Sequence, residues 1–122
     1  MSVIQRCLCA VVLALTIGPA SAAPHGVLER TEPRAGASVK PLPAQVRLWF
    51  TGALEPAYSR VQVLDAAGHR RDLGDDAVDP ANRALLRVSV PALPPGPYRV
   101  VWRVLSVDSH LTEGEFSFRV IP

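Results

Sequence analysis

Val104–Phe118 reads VLSVDSHLTEGEFSF, and the fold turns on what this stretch is. Two strand-like runs, Tyr98–Leu105 and Glu115–Val120, flank the triplet Asp108-Ser109-His110, so a sheet hands its chain to a loop at this point. Loops on a rigid scaffold are where chemistry is presented. If the backbone stays extended, side chains two apart project to the same side, and the Asp108 carboxylate and His110 imidazole face one target. One oxygen and one nitrogen donor suit a borderline metal such as Cu(II) or Zn(II). The same pair also makes an ordinary loop hydrogen bond. Two ligands do not hold a metal tightly, so the reading depends on a third donor elsewhere.

Working outward, the other segments repeat the strand pattern. In Gln45–Thr51, QVRLWFT, the apolar Val46, Leu48 and Phe50 alternate with Gln45, Arg47 and Trp49. Trp49 therefore falls on the second face, where a covering loop or partner is expected. Ser59–Leu64 alternates Val61 and Val63 with Arg60 and Gln62, and Leu85–Val90 is closed by Pro91. Val27–Thr31 reads as a short first strand. Turn-rich connections, Glu32–Ser38 and Pro41-Leu42-Pro43, separate it from the next, because proline removes a ladder donor and fixes φ. Arg70-Arg71 with Asp72, Asp75 and Asp76 reads as a solvated turn, and His69 as an exposed turn residue. No segment after the leader sustains a period of 3.6. Short strands between Gly/Pro turns predict an all-β, antiparallel Greek-key β-sandwich.

The first 22 residues are set apart. Arg6, the apolar Cys7–Ile17, a Gly18-Pro19 break and Ala20-Ser21-Ala22 form the tripartite pattern of a secretory signal peptide, too short for an ordinary membrane span. Cleavage after Ala22 leaves 23–122 as one domain of suitable length. Losing Arg6 takes the 13 basic residues to 12 against 11 acidic ones. A near-balanced chain without a Lys/Arg cluster lacks the footprint of a nucleic-acid binder. Both cysteines, Cys7 and Cys9, and the single methionine, Met1, lie in the leader. The exported domain has no disulfide, thiolate site or thioether, so any copper it binds is held by N and O donors, which favours Cu(II) over Cu(I).

The residues also resemble a known family. His25-Gly26-x-Leu28, Thr31-Glu32-Pro33-x-Ala35-Gly36, Leu48-Trp49-Phe50-Thr51, Pro95-Gly96-x-Tyr98-x-Val100-x-Trp102, Val104-x-Ser106-Val107-Asp108-Ser109-His110 and Gly114-x-Phe116-x-Phe118 are similar, in order, to the CopC/PcoC/YobA-like periplasmic copper-resistance proteins. The resemblance covers essentially the whole exported chain. It implies a seven-stranded, cupredoxin-like sandwich binding Cu(II) at one end, through an N-terminal histidine and the Asp and His of the Asp-x-His motif. Carried over, these ligands are His25, Asp108 and His110, with the first strand bringing the N-terminus beside the loop. Two imidazoles, an amine and a carboxylate fill a tetragonal Cu(II) plane. Since imidazoles must be neutral to bind, affinity is expected to fall as pH drops through the histidine range.

Two departures stand out. The family pattern starts with histidine, whereas cleavage after Ala22 leaves Ala23-Pro24 ahead of His25. Pro24 has no N–H to deprotonate, which spoils a free-amine x-x-His chelate, so either Ala23-Pro24 is trimmed or the site loses its amine. Phe50-Thr51 is followed by Gly52, without the glutamate some members carry there, and Glu55 is not an evident substitute. The expected role is a copper carrier or buffer in homeostasis or resistance, handing its ion to a separate CopD-like membrane transporter or another acceptor. The competing reading is an immunoglobulin-like interaction module whose Asp108 and His110 only order a loop. No nucleophile–base–orienter set or strand-to-helix nucleophile elbow supports an enzyme, and Ser109 next to His110 points away from it in extended chain.

Overall fold

The computed structural model describes residues 26–40 and 44–122. The expected leader 1–22, the start Ala23-Pro24-His25 and the Pro41–Pro43 connection lie outside the described residues. Eight strands are present among them: β1 (Leu28–Glu32), β2 (Ser38–Val39), β3 (Gln45–Phe50), β4 (Arg60–Leu64), β5 (Ala77–Asp79), β6 (Asn82–Ser89), β7 (Gly96–Leu105) and β8 (Leu111–Val120). A 3-10 turn at Pro56–Tyr58 is the one helical element described. Two four-stranded sheets, ordered β1-β3-β6-β5 and β2-β8-β7-β4, form the sandwich.

Alternation makes the core. Val46, Leu48 and Phe50 of β3, with Leu86 and Val88 of β6, face Val61 and Val63 of β4, Val100, Trp102 and Val104 of β7, and Phe116 and Phe118 of β8. Burying one such aliphatic or aromatic side chain contributes roughly 1.5–3 kcal/mol, so two opposed faces of this pattern are enough to hold the sheets together. Phe50 meets Trp102 edge to face across the core, 5.2 Å between centroids. That pair sits towards the end where β1 begins, because Leu28 is paired with Phe50.

The sandwich matches the sequence expectation, and the differences have local causes. Two strands are too short to show a period: β5, three residues on β6, and β2, two residues lying parallel to β8. The β2 pair is an exception to the antiparallel expectation. β8 begins at Leu111, four residues earlier than expected, because its first inward positions, Thr112 and Gly114, are not apolar. Trp49 is covered from within its own sheet. Its strand neighbour Arg30 lays a guanidinium 3.8 Å above the ring, a cation–π contact.

The turn over residues 70–76 is exposed as expected at Arg70, Arg71, Leu73, Gly74 and Asp75, but two of its three carboxylates are covered. The Asp72 and Asp76 side chains are 0% and 5% exposed, because they bond to the outer edge of β4. His69 is exposed, with Nδ1 3.8 Å from Asp65.

Candidate metal centre

The hairpin between β7 and β8 is the five-residue loop Ser106–His110. Its backbone is not extended, contrary to the premise drawn from sequence: Val107 and Asp108 form a turn, and Ser109 takes φ 70°. The turn nonetheless brings the two candidate donors together. His110 Nδ1 lies 3.0 Å from Asp108 Oδ1, with the side chains 61% and 32% exposed. Two donors bound to one ion at about 2.0–2.2 Å and at right angles are themselves about 2.8–3.1 Å apart. The spacing therefore fits adjacent corners of a tetragonal site as well as it fits a hydrogen bond.

Ser106 closes this loop. Its N–H donates to the His110 carbonyl at 2.9 Å, and its carbonyl accepts the Ser109 N–H at 2.9 Å. The Ser106 hydroxyl donates to Asp108 Oδ1 and accepts the His110 N–H at 3.2 Å. Sequence reading passed over Ser106, although a signal was there. The inward positions of β7 run Val100, Trp102, Val104 and then Ser106, the first polar residue in an apolar register, and it is 1% exposed.

The start of the described chain is anchored at the same end. Gly26 is buried with φ +81°, and an added Cβ would stand 3.4 Å from Ser106 Cβ. Thr112 Oγ1 donates to the Gly26 carbonyl at 2.7 Å. Val27 exchanges hydrogen bonds with Thr51, its carbonyl accepting the Thr51 N–H at 2.9 Å and its N–H donating to Thr51 Oγ1 at 3.2 Å. The 51–55 segment closes the other side: Val107 N–H donates to Ala53 O at 3.0 Å, and Glu55 N–H to Leu105 O at 2.8 Å.

Of the three expected ligands, Asp108 and His110 are thus brought together, while His25 lies outside the described residues. Among the described residues no cluster of three His, Cys, Asp or Glu side chains forms a metal site, so Glu55 does not join the pair. Val27, Val107 and Leu111 are exposed around the loop, giving a polar pair with apolar neighbours. Among the described residues no helix is long and apolar enough to cross a membrane.

Residues 28–121 match the family model described as the CopC domain. The chain is 26% identical over 109 residues to the copper transport protein CutJ of Bacillus subtilis (strain 168), covering 88% of this chain but 20% of CutJ. It thus spans about one fifth of that relative's length. Protein YobA of Escherichia coli (strain K12) is 29% identical over 97 residues, covering 79% of this chain and 78% of YobA. Among solved structures, CopC from Methylosinus trichosporium OB3b is similar with a TM-score of 0.71 at 36% identity, covering 80% of this chain and 95% of that one. PcoC, a methionine-rich copper resistance protein from Escherichia coli, gives 0.67 at 27% identity, covering 80% and 100%.

Proposed function

The chain belongs to the CopC family, and from this premise we propose that it is an exported, periplasmic Cu(II)-binding protein. It carries or buffers copper for homeostasis or resistance and passes the ion to a CopD-like membrane transporter or another acceptor. It is a binding protein rather than an enzyme. The observation that carries the reading is the exposed Asp108 Oδ1–His110 Nδ1 pair, 3.0 Å apart, beside the anchored Gly26.

His25 supplies the third donor in this reading. It is joined directly to Gly26, and consecutive Cα atoms across a trans peptide are about 3.8 Å apart. Gly26 is held against Ser106 and Thr112, which supports placing residue 25 within reach of the Asp108–His110 loop. An imidazole there, with an amine if Ala23-Pro24 is trimmed, completes a nitrogen-rich N/O set of the kind Cu(II) favours. PcoC is described as methionine rich, whereas Met1 is the one methionine of this chain. A thioether site for Cu(I) is therefore not part of the reading. Exposure of the pair suits hand-over, since ligand exchange needs an acceptor to reach the ion, and Val27, Val107 and Leu111 offer it apolar contact.

The test is a competitive Cu(II) titration of the exported protein with its His25→Ala and His110→Ala variants, accompanied by intact mass and EPR. Each substitution is expected to weaken binding at least tenfold. A mass beginning at His25 with a tetragonal, nitrogen-rich signal supports the amine-bearing site, and one beginning at Ala23 removes the trimming idea. Equal copper binding in all three proteins overturns the site and favours the interaction module, in which the Asp108–His110 contact only orders the loop.

A further inference from the structure

We propose that Ser106 is the positioning residue of the copper site, holding the Asp108 carboxylate at the distance from His110 at which both bind one ion. The proposal rests on the copper-binding reading above. Ser106 is 1% exposed, and no apolar requirement explains a hydroxyl at the end of an inward register otherwise filled by Val100, Trp102 and Val104. A buried hydroxyl needs a partner, and this one has two acceptors near it, Asp108 Oδ1 and the His110 carbonyl, the latter at 3.3 Å. It has a single proton to give. The carboxylate, carrying charge, is the stronger acceptor, so the proton goes to Asp108.

Three consequences follow from that bond. Asp108 is on an exposed turn, where a carboxylate otherwise samples several rotamers, and the bond to a buried, backbone-anchored hydroxyl fixes one. The same Oδ1 that Ser106 holds lies 3.0 Å from His110 Nδ1, so fixing Asp108 fixes the pair. A carboxylate offers about four lone-pair sites, so it can accept the Ser106 proton and bind a metal together, as ligating carboxylates commonly do.

A merely structural serine and a positioning serine differ in how Ser106 couples to Asp108. The experiment is a double-mutant cycle of Ser106→Ala and Asp108→Ala in the exported chain, read by Cu(II) competition and EPR, with melting of the metal-free proteins as the folding control. Ser106→Ala is expected to weaken Cu(II) binding about 10–100-fold and to change the EPR parameters. In the Asp108→Ala background it is expected to change affinity by less than about threefold, because the group it acts through is gone. Ser106→Thr, which keeps the hydroxyl, is expected to bind close to wild type wherever its added methyl lets it fold.

Wild-type affinity in Ser106→Ala overturns the proposal and leaves the copper reading standing. An equal loss in both backgrounds also overturns it, making Ser106 a packing residue. Absence of Cu(II) binding by the wild-type chain overturns the copper reading and this proposal with it.

Discussion

Gly114 shows how one missing side chain shapes the core. It lies opposite Trp102 in the β7–β8 register, on the inward face, and a Cβ there would stand 2.7 Å from Trp102 Cζ2 and 3.0 Å from Cε2. Phe50 packs against the indole edge to face, so a shift of the ring disturbs a second core side chain. Overfilling a packed core costs roughly 1–3 kcal/mol. Gly114→Ala is expected to lose that much, measured as a lower urea midpoint, and an unchanged midpoint refutes the clash. Gly26 is required for a different reason, its φ of +81° being the left-handed region where a side chain is strained.

At the scale of an element, β4 is the exposed edge of its sheet and is blunted by carboxylates. The Val61 and Val63 N–H groups donate to Asp76 Oδ2 at 3.2 Å and Asp72 Oδ2 at 2.8 Å, while Arg71 N–H donates to Val63 O at 2.7 Å. Arg70 holds both carboxylates, through Nε to Asp72 Oδ1 at 2.8 Å and Nη2 to Asp76 Oδ1 at 3.0 Å, and these bonds raise its pKa above the usual arginine value. An open edge is a template for pairing with another chain. Asp72→Ala strips the Val63 and Gly74 N–H groups of their acceptor and leaves Arg70 with Asp76 alone, at a cost of about 1–3 kcal/mol. The expected outcome is a lower melting temperature together with concentration-dependent light scattering, and a variant that stays monomeric at wild-type stability rules this role out.

Across the whole molecule, carboxylates clamp the turns that join the strands. Asp65 is held below the ordinary carboxylate range, first by the His69 N–H. Asp75 is lowered first by the Ser89 hydroxyl and then by its N–H, and Asp79 first by the Ala81 N–H, with Arg87 adding to it. A carboxylate with a depressed folded pKa binds its proton more readily when unfolded. Its contribution is therefore complete above the unfolded value, about 3.9, and is lost as pH falls through the folded value. The melting temperature is expected to be insensitive to these groups between pH 7 and about 5 and to decline below about pH 4. Scanning calorimetry from pH 2 to 7 checks this, and Asp79→Asn is expected to flatten the acid limb. An identical limb in the variant excludes Asp79 from it.

Alternation in QVRLWFT, SRVQVL and Tyr98–Leu105 determined the long strands, and with them the sandwich, because side-chain period and burial are local properties of extended chain. Composition determined the chemistry available, since residues 10–122 contain neither Cys nor Met and are left with nitrogen and oxygen donors. The Asp-x-His spacing put Asp108 and His110 side by side, as the structure has them, but for an incomplete reason. Asp108 and His110 meet because Ser109 reverses the chain at φ 70° and Ser106 gathers the turn, not because the backbone is extended. Only the tertiary structure decided that Asp72 and Asp76 are buried edge caps, that Arg30 covers Trp49, and that Gly26 lies against Ser106 from 80 positions away. Those contacts join residues distant in sequence, and no period along the chain encodes which strands will be neighbours.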